Sequence, residues 1–172
     1  MLNELGGKEA MNTILYHSST LQIAHPLCNL GRQNLDFGPG FYVTDSRSQA
    51  AEWATRVSIR RGEPGIINRY LVDRDALFAE ARTLQFQAYD EDWLQFIVQC
   101  RQGYDPRADY DLVEGGVAND RVIDTVRLYM QGLIPVGTAL ERLSMHQPNH
   151  QICMLRQCIT DKYLIFDGAE EL

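Results

Sequence analysis

Asp36-Phe37-Gly38-Pro39-Gly40-Phe41-Tyr42-Val43-Thr44, running into Asp45-Ser46-Arg47-Ser48-Gln49, is the stretch on which the fold turns. A dinucleotide-binding βαβ unit places a G-x-G-x-x-G turn after a strand and before a helix. Here Gly38 and Gly40 lead into a β-prone tetrad, Phe41 to Thr44, and valine fills the last glycine position at 43. The turn opens a strand rather than a helix, which disfavours a Rossmann enzyme. The helix signal comes only afterwards. Ser46 and Gln49 have capping-box spacing, and Ala50, Trp53, Ala54 and Val57 form an i, i+3, i+4, i+7 stripe. Gly62 and Pro64 mark its expected end.

Outward from this stretch, strands and helices alternate irregularly. Residues 13–17 and 66–72 read as strands. Asp90 predicts the cap of a helix carrying Trp93, Phe96, Ile97 and Cys100 on one face, with Gly103 as its stop. Residues 110–113 read as a buried strand entering the turn Glu114-Gly115-Gly116. Asn119 or Asp120 opens a third helix that ends at Gly132, and Pro135 suits the first turn of a fourth. Residues 151–154 and 162–166 close the chain as strands. Without strict βαβ order, the expected class is α+β with a mainly antiparallel split sheet and flanking helices. One domain, 13–167, is expected, with a lead-in at 1–12 and a short acidic tail at 168–172. Trp53 and Trp93 read as core.

Composition narrows the chemistry. The 172 residues are 45% hydrophobic and 23% charged, ordinary for one globular domain. No apolar run nears the roughly 20 residues of a membrane span, and the N-terminus lacks a basic-then-apolar signal pattern. The reading is a soluble, cytoplasmic protein that does not engage membranes. Sixteen Lys+Arg against 23 Asp+Glu give a net charge of −7, which opposes coating a polyanion but permits a local site for one small anion. Cysteines 28, 100, 153 and 158 lack C-x-x-C or zinc spacing, so no metal is expected and the thiols read as structural. Phosphate-loop, G-x-S-x-G and H-E-x-x-H motifs are missing.

What remains is polar residues at strand ends. His17 follows an apolar run and precedes Ser18-Ser19-Thr20; the glycines at 38 and 40 would let backbone approach a flat ligand; Asn149-His150-Gln151 opens an apolar strand. Each segment alone reads as ordinary packing. Together, Y-H-S-S, G-F-Y-V-T before a helix, and N-H-Q-I-C-M resemble the three motifs of ADP-ribosyltransferases. More narrowly, adding A-A-E-W-A, W-L-Q-F-I-V and Y-D-L-V-E-G-G-V-A-N-D, the chain is similar to an uncharacterised bacterial family of that superfamily, from Ile14 almost to the end.

That resemblance implies an NAD-dependent mono-ADP-ribosyltransferase, in the setting of an intracellular toxin or defence effector with a small antitoxin-like protein partner. His17 would bond a ribose of NAD while backbone at Ser18, where the superfamily commonly has glycine, clasps the nicotinamide amide. Tyr42 would stack on nicotinamide, with Phe41 beside it turned toward the core by strand alternation. The third motif normally offers a glutamate; here the position holds Gln151, or His150 if the register slips by one. A glutamine can hold a hydroxyl but brings no negative charge to an oxocarbenium-like transition state. Glu114 is a candidate substitute carboxylate, its plainer reading a solvated loop acid. Arg32, in the loop before Tyr42, is the candidate for the pyrophosphate. A protein acceptor fits the net charge better than a nucleic acid. The alternative is a non-catalytic module that holds a nucleotide or a protein partner.

Overall fold

The computed structural model describes residues 12–172. Among these residues, two sheets carry the fold. Strands β1 (Asn12–Ser19), β3 (Ile66–Asp73) and β7 (Ile165–Glu171) form an antiparallel sheet in the order β1-β3-β7. Strands β2 (Phe41–Val43), β6 (His150–Met154), β5 (Leu112–Gly116) and β4 (Thr83–Gln85) form the second, in that order, with only β4 and β5 parallel. An isolated antiparallel bridge links the sheets. Tyr16 N–H donates to the Thr44 carbonyl at 2.8 Å, and Thr44 N–H returns the bond at 3.0 Å. The expected α+β class with a divided, mainly antiparallel sheet is what forms.

Six α-helices flank the sheets among the described residues: α1 (Arg47–Arg61), α2 (Arg74–Glu80), α3 (Glu91–Arg101), α4 (Asp120–Met130), α5 (Val136–Leu143) and α6 (Gln157–Tyr163). Ser46 caps α1 by accepting from Gln49 N–H, and Gly62 ends it in the left-handed region at φ 69°. Only half of the expected capping box forms. The Gln49 amide reaches the His150 carbonyl instead, and Ser46 N–H is satisfied by Thr44 Oγ1. Asp90 caps α3 through Trp93 N–H as the sequence predicts.

Among the described residues, three apolar clusters divide the interior. Leu15, Tyr70 and Val72 meet Phe41, Val43, Leu112, Ile152 and Met154 between the sheets. The outer face of the four-stranded sheet, with Val113 and Cys153, is covered by Trp93 and Ile97 of α3, Val122 and Val126 of α4, and Leu143 of α5. A smaller cluster sets Ala50 and Ala54 of α1 on Ile67.

Several expectations are corrected. Residues 168–171 are not a tail: Gly168 to Glu171 pair with Arg69 to Ile66, and Glu170 takes the Arg47 guanidinium at 2.7 Å. Acidic residues suit an edge strand, where charge discourages further pairing. Lys162 and Tyr163 belong to α6, so the last strand starts at Ile165. Asn12 belongs to β1, and the rest of the expected lead-in, 1–11, lies outside the described residues. Pro135 is the N-cap of α5, one position before its first turn. Trp93 is core, but Trp53 is only half-buried, and Cys158 is exposed while the other three thiols are buried.

Candidate functional site

His17 sits near the end of β1, beside the bridge between the sheets. Its Nδ1 lies 2.6 Å from the Tyr42 carbonyl oxygen, and its ring stacks on Phe41 at 4.2 Å between centroids. A carbonyl only accepts, so Nδ1 carries the proton and Nε2 is left as an acceptor. Loss of solvation outweighs the bond to Tyr42 and lowers the pKa from 6.5 to about 4, so the ring is neutral at pH 7. Ser18 points away, its hydroxyl donating to the Ala50 carbonyl of α1 at 2.6 Å.

On β2, alternation sends Phe41 and Tyr42 to opposite faces. Phe41 is 5% exposed and its ring is engaged by His17. Tyr42 is half-buried, near-parallel to Phe37 at 6.5 Å. Its hydroxyl donates to the Gly38 carbonyl and accepts from Phe37 N–H, and burial raises its pKa. The glycines before it serve packing within the protein. A Cβ at Gly40 would overlap Cys153 Sγ and crowd the Met154 carbonyl at 2.9 Å, while one at Gly38 would meet the Arg107 guanidinium. Arg107 clamps this turn by donating to the Phe37 and Pro39 carbonyls.

The two third-motif candidates separate. Gln151 is 3% exposed and shares the face of Cys153 and Tyr42; its Nε2 donates to Asp36 Oδ2 at 3.1 Å. His150, one residue earlier, is exposed on the other face, with its carbonyl accepting from Thr44 and Gln49 side chains. There it lines an open cleft of about 350 Å³ with Glu114, Asp45, Arg74 and Gln85.

Glu114 is not the solvated loop acid expected. It lies inside β5, 6% exposed, not in a turn at the surface. Its carboxylate takes the Arg74 guanidinium on Oε1 and the Gln85 amide on Oε2 at 2.7 Å. The following glycines are there for packing, since a Cβ at Gly115 would meet Phe86 and Phe37 and one at Gly116 would overlap Tyr89. Arg74, a residue outside the expected candidates, also lies 3.8 Å from Asp45. With two carboxylates and one guanidinium, this cleft does not attract a dianion.

Arg32 is exposed and bonds no other candidate residue among those described. The candidates therefore do not converge: His17 stands with Phe41, Tyr42 and Gln151 share the opposite face of β2 and β6, Glu114 stands with His150, and Arg32 lies apart. Among the described residues no group of three or more His, Cys, Asp or Glu is placed to hold a metal ion, and no helix is long and apolar enough to cross a membrane. No curated protein and no solved structure matches the chain. Residues 13–166 match the model of a family described as a protein of unknown function, DUF3990, and the chain belongs to that family.

Proposed function

We propose that the chain is an NAD-dependent mono-ADP-ribosyltransferase that modifies a protein acceptor. The observation that carries this reading is His17. A neutral imidazole, fixed by the Tyr42 carbonyl and stacked on Phe41, keeps Nε2 as an acceptor in the place where the resemblance puts a ribose hydroxyl. In the reaction, the bond between nicotinamide and ribose C1′ breaks and its electron pair leaves with nicotinamide. An acceptor nucleophile bonds to C1′ and gives up its proton. Tyr42 stands on the opposite face of β2 from His17, its ring near-parallel to Phe37 and its hydroxyl tied to the turn before it, so the reading does not draw on it. Net charge of −7 favours a basic protein as acceptor or as a small inhibitory partner in the bacterial cytoplasm.

Purified protein incubated with labelled NAD and cell lysate is expected to transfer label to protein, and His17→Ala is expected to abolish transfer while keeping the fold. Failure to label any product or consume NAD, with the fold intact, overturns the reading. A second reading, a non-catalytic module that binds a nucleotide or protein partner, draws on the burial of Gln151 against Asp36. Calorimetric NAD binding without turnover would favour it.

A further inference from the structure

Gln151 stands where the resemblance expects a carboxylate, and a carboxylate is already bonded to it. Asp36 Oδ2 accepts from Gln151 Nε2 at 3.1 Å and from Ala118 N–H at 2.9 Å, while Oδ1 takes the Arg101 guanidinium. Asp36 is 8% exposed and Gln151 3%, so water competes little for these bonds. A carboxylate paired with arginine only accepts. The amide must turn its NH₂ toward Asp36, which directs Oε1 the other way. A side-chain amide that is otherwise free to flip is thereby held in one orientation.

We propose that Asp36 is the positioning residue for Gln151: it fixes the amide and places a negative charge directly behind it, so that Oε1 is offered as a polarised acceptor for a ribose hydroxyl. The inference rests on the NAD reading above and explains how a third motif with glutamine can serve it. The charge sits behind the amide, on Asp36 at the start of the turn that also holds the Tyr42 hydroxyl. Arg101 on α3 and the Ala118 amide after β5 anchor Asp36.

Exchanging donor and acceptor tests it. Gln151→Glu alone sets two carboxylates in contact, and Asp36→Asn alone lets the pair flip. Together they restore the hydrogen bond between residues 36 and 151, with the donor now on residue 36, while Ala118 N–H loses its acceptor and Arg101 its carboxylate, so the melt is expected to stay below the parent's. NAD affinity by calorimetry is expected to weaken about tenfold or more in each single variant. It should return to within about threefold of the parent in the double variant, beyond any additive sum. Thermal melts run alongside. If Asp36→Asn is folded and binds NAD like the parent, the proposal is overturned. It is overturned equally if the double variant regains the melt but not the affinity, because the pair is then structural. Should the single variants not fold, Gln151→Leu, which spares the Asp36–Arg101 pair, must lose NAD binding, and unchanged affinity overturns the role. A parent chain that binds no NAD overturns the functional reading itself and this role with it.

Discussion

Between pH 6.5 and about 4, an unfolded His17 holds a proton that the folded protein does not take up. The folded pKa is depressed, so across that window the unfolded state binds more protons and stability falls as pH falls. Above pH 6.5 both states are neutral at this residue and the slope vanishes. His17→Asn keeps a donor for the Tyr42 carbonyl but has no titration. Its melting temperature is therefore expected to decline less than that of the parent from pH 6.5 to 4, with the two curves parallel above. Asp105 and Asp111, whose pKa values are lowered by Arg107 and Arg82, add acid sensitivity that both proteins share. An imidazole found by NMR to titrate near 6.5 in the folded chain would remove the basis for Nε2 as a standing acceptor.

The last strand carries the sharpest prediction for an element. Deleting residues 168–172 removes the pairing of Gly168 to Glu171 with β3 and the Arg47–Glu170 ion pair. Several backbone bonds at about 1 kcal/mol each put the expected loss near 2–4 kcal/mol in denaturant melts, whereas a tail would cost nothing. This strand was misread because its sequence is acidic and interrupted by glycine, which at composition level resembles a solvated end. The better-read elements, α1 and α3, carry caps and an apolar period within one window. Others carry neither. Asp73 ends β3 and caps α2 at once, leaving no turn residues between them, and β4 is three residues long with its partner well downstream in the chain. The Glu114-Gly115-Gly116 triplet has turn composition but strand geometry, because its glycines make room for Phe37, Phe86 and Tyr89. Of the candidate site, the sequence shows only that His17 falls near the end of a strand and Tyr42 within one. The Asp36–Gln151 bond was not legible, since no local period reports a contact between segments so distant in sequence.

Across the whole molecule, Arg74 ties the two sheets: it follows β3 in one and grips Glu114 of β5 in the other, with its guanidinium also over the Phe78 ring at 5.0 Å. Arg74→Ala would leave Glu114 buried without its cation. Breaking a fully buried pair costs about 3–5 kcal/mol; with Arg74 a third exposed, about 2 kcal/mol is the expected loss in chemical denaturation. Adding Glu114→Gln should return part of it, because the stranded charge is removed, and a double variant no better than the single one would contradict that account. The strand order β1-β3-β7 also has a consequence for how the chain acquires its shape. Asn68, at the centre of the sheet, has His17 on one side and Ala169 on the other, partners from opposite ends of the described chain. Such non-local pairing slows folding. Until residues 165–171 have been synthesised and have docked, β3 presents an open, apolar edge to other copies of the chain, so refolding yield should fall as protein concentration rises.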